Sequence, residues 1–391
     1  MDNQIFTELE GTFADKFGHQ PAHHFFSPGR VNLIGEHTDY NGGHVFPAAI
    51  TIGTFGVASS REDNLVKVYS LNFPDQGVVT FDINDEEKLA GNAWPNFIKG
   101  LLIELRAEGY SFDHGFELAV NGTIPTASGL SSSSSLELLI SVVLDRLFAL
   151  DVPRLTMVQV SQRDENHYIG VQTGIMDQFA IGFGEAEKAI YLDTNTLEYE
   201  LVPAIFGDNV IVIMNTNKPR ALTESKYDER VAQTKEALAR LQTKLDIQNL
   251  GELDKATFDA NTDLIDDELL IKRGRHAVYE NIRAKEAVAA LKANDLVLFG
   301  QLINDSHASL KDDYEVTGIE LDTLAETAQQ VPGVLGARMT GAGFGGTAIA
   351  LVNKDEVAHL EAIVAAKYEE VVGYAPSFYV AEIGDGAKAL D

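Results

Sequence analysis

The sequence contains no cysteine among its 391 residues. Disulfide bonds, thiolate metal sites and a cysteine nucleophile are therefore excluded. Basic residues are also scarce, because 30 Lys and Arg stand against 59 Asp and Glu, which gives a formal net charge of −29. Such a chain lacks the cationic surface with which proteins neutralise nucleic-acid phosphates or anionic lipid headgroups. Any phosphate that it binds must be held locally, by backbone N–H groups, a metal ion or a few well-placed cations.

Long hydrophobic runs are missing as well. The most apolar stretch, residues 136–150, contains Glu137, Asp145 and Arg146, so it falls short of the roughly 18 apolar residues expected of a membrane-spanning helix. The first residues lack the basic and then apolar profile of a signal peptide. We therefore expect a cytoplasmic protein that acts on small molecules, with neither a nucleic acid nor a membrane as partner. A monomer is expected, and the sequence leaves an oligomer open.

The order of helices and strands predicts an α+β protein with two domains. Residues 6–17 carry apolar side chains at helical spacing, residues 116–120 alternate with the period of a strand, and residues 210–214 form a continuous apolar strand. These elements interleave without the regular alternation of a doubly wound sheet. We place an N-terminal domain at residues 1–205 and a C-terminal domain at residues 206–391.

The first segment that can carry chemistry is residues 28–43. It holds four glycines and four strongly hydrogen-bonding side chains, those of Arg30, Glu36, His37 and Asp39. Carboxylates and an imidazole on one turn suit a sugar, because each sugar hydroxyl both donates and accepts a hydrogen bond. A solvated turn beside a capped helix accounts for the same residues equally well.

The second segment, residues 125–137, is a loop of small residues that runs into a helix. Five serines, Ser131 to Ser135, stand immediately before an apolar helical pattern. The amides at a helix N-terminus form an anion site, and the serine hydroxyls can add donors or Mg²⁺ ligands. The chain has no Gly-x4-Gly-Lys-Ser/Thr sequence, so this is not a Walker A loop. A flexible serine linker is the weaker alternative, because the apolar helix ties the segment to the core.

The third segment, residues 165–179, contains two carboxylates twelve positions apart. Glu165 and Asp177 can divide metal binding and proton abstraction between them. Acidic residues on surface turns are common, however, so this segment alone favours a surface turn.

The fourth segment, residues 336–346, contains four glycines within six positions, followed by a strand. Glycines let a backbone with positive φ approach a ligand closely. No strand-loop-helix unit carries them, so they do not form a dinucleotide fingerprint.

Together and in this order, the four segments resemble the GHMP kinases (galacto-, homoserine, mevalonate and phosphomevalonate kinases), and within them the galactokinases. The first segment is similar to the galactokinase signature, and the others resemble the phosphate loop, the catalytic-aspartate segment and the C-terminal glycine loop of the family. Residues 307–316 are also similar to galactokinases. The resemblance implies an N-terminal domain like ribosomal protein S5 domain 2, a C-terminal ferredoxin-like domain and an active site in the cleft between them.

The resemblance also implies an activity and a set of site residues. The activity is an ATP-dependent phosphorylation of the anomeric C1 hydroxyl of D-galactose, the first committed step of galactose catabolism, with ATP as co-substrate and Mg²⁺ as cofactor. The implied residues are, as sugar ligands, Glu36, His37, Asp39, Asp177 and Tyr227; for catalysis, Asp177 as base and Arg30 beside the transferring phosphoryl group; for the nucleotide, Ser70, Ala127, Ser128, Gly129, Leu130, Ser131, Ser132 and Ser133; and for Mg²⁺, Ser133 and Glu165.

Two residues depart from the family pattern. Ala127 stands where the family usually has glycine, and Ser134 where it often has alanine. The Cβ of Ala127 disfavours positive φ, so we expect an ordinary backbone conformation there or a strain of about 1–3 kcal/mol. Altered nucleotide affinity is the most that should follow.

Two other functions stay open. One is a kinase for a related sugar such as N-acetylgalactosamine, because the room around carbon 2 is not visible in the sequence. The other is a sugar-sensing regulator without catalysis, against which the presence of Arg30, Glu165 and Asp177 argues. Mevalonate and homoserine kinases fit less well, because their acidic substrates would lie beside Glu36 and Asp39.

Overall fold

The computed structural model describes residues 2–91, 93–125, 128–171, 173–218 and 223–390. Within these residues the strands are β1 (His23–Asn32), β2 (His44–Val45), β3 (Pro47–Ser60), β4 (Leu65–Ser70), β5 (Val79–Asp82), β6 (Phe116–Gly122), β7 (Lys188–Asp193), β8 (Tyr199–Pro203), β9 (Asn209–Asn215), β10 (Val334–Thr340), β11 (Thr347–Asn353), β12 (Ser377–Ala381) and β13 (Lys388–Ala389). The helices are α1 (Asp2–Phe17), α2 (Asn96–Ala107), α3 (Ser132–Phe148), α4 (Arg154–Arg163), α5 (Met176–Phe183), α6 (Thr223–Leu241), α7 (Lys255–Asp259), α8 (Thr262–Ile265), α9 (Glu268–Lys292), α10 (Leu296–Ser309), α11 (Gly318–Ala328) and α12 (Val357–Val372).

The N-terminal half is built on a six-stranded sheet with the order β13-β1-β3-β6-β4-β5. All its pairs are antiparallel except β4 with β6. Side chains alternate between its faces, so Phe55 and Ala119 pack against α1 while Ala58 and Leu118 join the core that includes α2 and α3. The amphipathic first helix and the buried helix after the serines, both predicted from the sequence, are confirmed.

The C-terminal half is built on a four-stranded antiparallel sheet with the order β10-β11-β9-β12. Val212 and Met214 of β9 face a core that includes residues of α11 and α12. Ile211 and Ile213, on the opposite face, belong to a second core that also contains Val31 of β1. This second core is shared by the two halves, so apolar packing fixes their arrangement at the site.

The end of the chain returns to the N-terminal sheet. β13 pairs with β1, with Phe25 opposite Ala389 and Phe26 opposite Lys388. The last strand is therefore part of the first sheet, although it lies in the segment placed in the C-terminal domain. The boundary near residue 205 stays a prediction.

No helix in the described part of the chain is long and apolar enough to cross a membrane.

Candidate active site

A cavity of about 700 Å³ lies between the two halves. It brings together residues from all four segments singled out in the sequence. Its lining is Arg30, Gly35, Glu36, His37, Asp39, Ser128, Gly129, Ser131, Ser132, Ser133, Glu165, Gly170, Val171, Thr173, Gly174, Met176, Asp177, Tyr227, Asp228, Gly341 and Ala342.

The first segment leaves β1 and folds into a tight loop at one end of the cavity. The Thr38 hydroxyl lies 2.7 Å from both the carbonyl oxygen of Gly35 and that of His44, and thereby closes the loop. A short 3₁₀ turn follows at Asp39–Asn41. The loop places Glu36, His37 and Asp39 in the lining of the cavity, and their role as sugar ligands stays a prediction.

Glu36 is buried and tied to the other half of the molecule. Its carboxylate forms an ion pair with Arg338 of β10 and accepts a hydrogen bond from the backbone N–H of Gly341 at 2.8 Å. Burial raises the pKa of Glu36, and the charge of Arg338 opposes that rise. The Thr340 hydroxyl also donates to Glu36 Oε1 at 3.3 Å. A carboxylate has about four acceptor positions, so these three contacts orient Glu36 and leave one position for a ligand hydroxyl.

His37 lies in an aromatic cluster. Its Nδ1 is 2.8 Å from the hydroxyl of Tyr40, which is itself 2.8 Å from the hydroxyl of Tyr314. The ring centroids of Tyr314 and Tyr227 are 4.8 and 5.7 Å from that of His37. Burial lowers the pKa of His37 to about 3. The imidazole is therefore neutral at physiological pH, with one nitrogen that donates and one that accepts.

Asp39 stands against the wall formed by Gly174. A Cβ added at Gly174 would lie 2.5 Å from Asp39 Oδ2, so only glycine leaves room for the carboxylate. Burial raises the pKa of Asp39 to about 6, and the charge of Asp177 adds to the rise. Asp39 is thus an acceptor that is ionised above about pH 6.

Arg30 and Asp177 form a two-point contact at the centre of the cavity. Arg30 Nε donates to Asp177 Oδ1 and Nη2 donates to Oδ2, each at 2.9 Å, and Nη2 also lies 2.8 Å from Oδ1. Arg30 Nη1 donates to the carbonyl oxygen of Gly129 at 2.6 Å, and the Ser131 hydroxyl donates to Asp177 Oδ2 at 2.5 Å. A lysine could not form this planar two-point contact with the Asp177 carboxylate. The pair joins β1, the serine loop and the first turn of α5.

The serine loop, residues 128–131, runs directly into α3. Helix α3 begins at Ser132, and the side chain of its N-cap residue, Ser131, makes no capping hydrogen bond among the described residues. Among its serines, Ser132 is exposed, Ser133 is half-buried and Ser134 is buried. Free amides and hydroxyls at the positive end of the helix dipole form an anion site. Ala127 lies outside the described residues, so its expected backbone conformation stays a prediction.

Glu165 adjoins the start of α3. It belongs to the π-helical turn Asp164–Ile169, and its Oε2 accepts hydrogen bonds from Thr173 Oγ1 at 2.9 Å and Gln178 Nε2 at 2.8 Å. Burial raises the pKa of Glu165, opposed first by a hydrogen bond from the Ser133 hydroxyl. Ser133 and Glu165, predicted to share a metal, are therefore in contact.

This donor set fits Mg²⁺. Mg²⁺ usually takes one or two protein oxygens and completes its octahedron with water and substrate phosphates, and Ser133 and Glu165 supply one hydroxyl and one carboxylate. No group of three or more His, Cys, Asp or Glu that could hold a metal ion occurs among the residues that the structure describes. A metal at this position therefore relies on the phosphates of a nucleotide.

Two buried acids lie behind Glu165. Burial raises the pKa of Asp164 to about 9 and that of Glu137 well above its usual range, with Glu165 adding to both. The Asp164 carboxyl group is therefore neutral at physiological pH. Gln178, also buried, donates to Glu165 and lies 3.4 Å from Glu137 Oε2.

The glycine segment (residues 336–346) and Thr347 after it connect the loop of residues 33–43, here called the sugar loop, to the serine loop. Gly341 donates to Glu36, and the Thr347 hydroxyl donates to the carbonyl oxygen of Ser128. Gly343 has a φ of 82°, and a Cβ there would lie 2.4 Å from the carbonyl oxygen of Val316. Only glycine allows the loop to pass this close to the neighbouring chain.

Two predicted nucleotide contacts lie outside the cavity lining. Ser70, at the end of β4, is buried, and its hydroxyl oxygen accepts a hydrogen bond from the amide of Asn72 at 3.2 Å. Leu130 is also buried, and its carbonyl oxygen accepts a hydrogen bond from the amide of Arg30 at 3.2 Å. Neither residue lines the cavity, and their proposed contacts with a nucleotide stay predictions.

Sequence reasoning assigned no role to Glu137, Gln178 or Arg338. A weak signal existed for Glu137, because it lies four residues after Ser133 on the same helical face and interrupts an apolar pattern. Gln178 directly follows Asp177, and Arg338 is a charged residue within an otherwise apolar strand. None of these positions identifies its partner from the sequence alone.

Comparison with known proteins identifies the family to which these segments belong. The galactokinase galactose-binding signature matches residues 11–60, the GHMP kinases N terminal domain matches residues 96–185, and the GHMP kinases C terminal domain matches residues 287–370. A galactokinase from Lactococcus lactis subsp. cremoris (strain MG1363) is 65% identical over 391 residues, which cover 100% of this chain and 98% of that protein. A galactokinase from Lactiplantibacillus plantarum is 56% identical over 386 residues, covering 98% and 99%.

Solved structures of related proteins have the same fold as this chain. The crystal structure of Lactococcus lactis galactokinase complexed with galactose superposes with a TM-score of 0.94 at 64% identity, covering 98% of this chain and 99% of that one. Methanococcus jannaschii mevalonate kinase superposes with a TM-score of 0.66 at 16% identity, covering 93% and 99%, and shows the fold alone. The predicted pair of N- and C-terminal GHMP kinase domains is confirmed. The chain belongs to the galactokinase family of the GHMP kinases.

Proposed function

We propose that this protein is a galactokinase that transfers the γ-phosphoryl group of ATP to the C1 hydroxyl of D-galactose. The products are galactose 1-phosphate and ADP, and the reaction is the first committed step of galactose catabolism. The observation that carries the proposal is the Arg30–Asp177 pair, which lies in one cavity between the sugar loop and the serine loop. Identity of 65% over the full length with a named galactokinase supports the same substrate.

The sugar binds at the loop end of the cavity. Asp39 offers ionised acceptor oxygens, and neutral His37, whose Nδ1 lies 2.8 Å from the Tyr40 hydroxyl, offers its other ring nitrogen. Glu36 adds an oriented carboxylate, and Tyr227 borders the same space. A neutral polyhydroxyl ligand satisfies these groups, whereas an acidic substrate would face the carboxylates of Glu36 and Asp39.

The nucleotide phosphates bind at residues 128–133. Open amides of α3 and the loop serines supply the donors, and this local grip suits a chain whose overall charge of −29 repels anions. Arg30 donates to Gly129 of this loop and to Asp177, so its guanidinium is fixed where charge builds up on the transferring phosphoryl oxygens.

Asp177 is the base. The C1 hydroxyl oxygen attacks the γ-phosphorus, the bond to the bridging oxygen of ADP breaks, and the hydroxyl proton passes to the Asp177 carboxylate. The transition state of phosphoryl transfer is loose, so the protein contributes mainly position and charge neutralisation. The base itself adds roughly 10²–10⁴-fold.

Ser133 and Glu165 would hold Mg²⁺. When bound, the ion neutralises charge on the β- and γ-phosphates. Thr173 and Gln178 keep the Glu165 carboxylate turned towards Ser133. The cytoplasmic location and the monomeric state stay predictions from the sequence.

A panel of free sugars tests the proposal. ADP release is measured with ATP and Mg²⁺ in the presence of galactose, glucose, talose or N-acetylgalactosamine. Galactose-dependent ADP release is expected. Faster release with N-acetylgalactosamine would instead favour the kinase for that sugar, and binding of galactose and ATP without ADP release would favour the sugar-sensing regulator.

A further inference from the structure

The sugar loop is held from behind by helix α9, which belongs to the C-terminal half of the chain. Three buried polar residues of this helix, His276, Glu280 and Asn281, hydrogen-bond to the backbone of the loop or of the residue that follows it. None of the three is among the described residues that line the cavity. They can therefore act on a bound sugar only through the loop.

Two neighbouring residues of α9 hold the two ends of the loop. Glu280 Oε1 accepts a hydrogen bond from the backbone N–H of Gly35 at 3.0 Å, and Asn281 Oδ1 accepts one from the backbone N–H of His44 at 2.9 Å. The carbonyl oxygens of the same two residues are the ones that the Thr38 hydroxyl contacts. The segment that carries the three predicted sugar ligands of this loop is thus fixed at both ends.

Glu280 is a buried carboxylate with several donors. Oε1 also accepts from the Ser306 hydroxyl at 2.6 Å, and Oε2 accepts from Arg283 Nε at 2.8 Å. Burial alone would raise the pKa of Glu280, but the charge of Arg283 helps to lower it to about 2. The bond from Gly35 therefore goes to an ionised acceptor, which strengthens it. Because Gly35 has a φ of 95° and glycine is conformationally free, the loop depends on such a bond to keep one conformation.

Asn281 and His276 add contacts to the same loop. Asn281 Nδ2 donates to the carbonyl oxygen of Gly251 at 2.9 Å, and a Cβ at Gly251 would overlap the carbonyl oxygen of Gly42. His276 Nε2 lies 3.1 Å from the carbonyl oxygen of Glu36. A carbonyl oxygen only accepts, so Nε2 of His276 is the protonated nitrogen. Elements of the C-terminal half thus contact the loop along its length.

We propose that Glu280 and Asn281 are positioning residues that hold the sugar loop in the conformation that binds galactose. The inference rests on the proposed galactokinase function and deepens it. Without these bonds only a fraction of the molecules has a competent loop, and the apparent Kd for galactose rises by the reciprocal of that fraction. Saturating galactose selects the competent conformation, so turnover at saturation is kept.

Asn281→Ala should separate sugar binding from nucleotide binding and from turnover. The galactose Kd, measured by calorimetry without nucleotide, should rise roughly 10- to 100-fold, as expected if about 1–10% of the loops stay competent. The kcat at saturating galactose and the Kd for a non-hydrolysable ATP analogue with Mg²⁺ should stay within about threefold of the wild type. Equal weakening of galactose and of the ATP analogue would overturn the inference, because it would indicate a general loss of structure.

Asn96→Ala is the matched control. Asn96 is buried in α2, and its amide accepts from the backbone N–H of Leu89 at 2.9 Å and donates to the Leu89 carbonyl oxygen at 3.2 Å. The control therefore removes the same kind of side chain and the same kind of bonds from a place that does not line the cavity. Its galactose Kd should equal that of the wild type. A Kd in Asn281→Ala no higher than in Asn96→Ala would refute the role of Asn281.

Glu280 is tested without its charge partner. Glu280→Gln and Glu280→Leu are compared in an Arg283→Met background, so that neither double variant leaves an unpaired buried charge. Glutamine keeps an acceptor oxygen for the Gly35 N–H and should bind galactose with a Kd within about threefold of the wild type. Leucine offers no acceptor, and its Kd should be about 10-fold higher than that of the glutamine variant. Equal Kd values in the two would refute the role of Glu280.

The outcomes also separate this inference from the proposed function. If the wild-type protein binds no galactose, or binds it and releases no ADP, the proposed galactokinase function fails. If the wild type phosphorylates galactose and the Asn281 and Glu280 variants bind it as tightly, only the positioning role is refuted.

Discussion

Arg30 and Asp177 are 147 positions apart in the chain, yet two hydrogen bonds of 2.9 Å join them. Both residue types were candidates from the sequence, because a fork-shaped cation and a carboxylate are suited to phosphoryl transfer. Their contact, and the third bond from Ser131, depend on how β1, α3 and α5 pack. Residue identity could thus be predicted, whereas the orientation of the carboxylate could not.

Asp177→Asn tests the base. The amide keeps the size of the side chain and can still accept from Arg30, so galactose Kd should stay within about threefold of the wild type. It cannot take the hydroxyl proton, and kcat should fall by roughly 10²–10⁴-fold. Calorimetry and ADP release measure the two quantities. A variant with wild-type turnover would refute the assignment.

Asp39→Asn should stabilise the fold and weaken sugar binding. The pKa of Asp39 is raised to about 6 from the usual 3.8, so the ionised form destabilises the native state. This destabilisation is absent below about pH 4, grows as the pH rises towards 6 and is fully present above it. At pH 7.5 the variant should gain roughly 1–3 kcal/mol of unfolding free energy. Urea denaturation at pH 7.5 and pH 4 checks this, and an equal gain at both pH values would contradict it.

At the scale of elements, local sequence patterns were enough to predict individual helices. Helical spacing located α1, and an apolar run after serines located α3. The register between β10 and the sugar loop has no local signal, because Arg338 contacts residues more than 300 positions away in sequence. The hydrogen bond from the Thr347 hydroxyl to the Ser128 carbonyl oxygen, which joins the start of β11 to the serine loop, also has no local sequence signal.

Thr347→Val tests that contact. The substitution keeps the shape of the side chain but removes the hydroxyl that holds the Ser128 carbonyl oxygen. The serine loop should lose its orientation, so we expect the KM for ATP to rise and stability to fall by about 1–3 kcal/mol. Thr323→Val, which removes a hydroxyl bond inside α11, is the control and should leave the KM for ATP unchanged. Equal KM values in both variants would contradict the role of Thr347.

At the scale of the whole molecule, the cavity exists because a shared apolar core and a buried ion pair hold the two halves together. Arg338 comes from the C-terminal sheet and donates to the carbonyl oxygens of Asn32 and Leu33 as well as pairing with Glu36. The sugar loop therefore takes its position from the other half of the protein. The sequence predicted two domains with a cleft but not which residues join them.

Arg338→Met should leave Glu36 as an uncompensated buried anion and destabilise the protein by roughly 3–5 kcal/mol. Adding Glu36→Gln removes that anion, so the double variant should recover part of the loss. Urea denaturation of both variants measures the effect. No recovery in the double variant would show that Arg338 acts through its packing and not through the ion pair.

The central claim is that the cavity brings the C1 oxygen of galactose and the terminal phosphate of ATP together beside Asp177. A crystal structure with galactose, Mg²⁺ and a non-hydrolysable ATP analogue tests it most directly. We predict that a carboxylate oxygen of Asp177 lies about 2.6–3.2 Å from the C1 oxygen, with the γ-phosphorus in line about 3–3.5 Å beyond it. A complex with the carboxylate out of hydrogen-bond reach of the C1 oxygen would contradict the account.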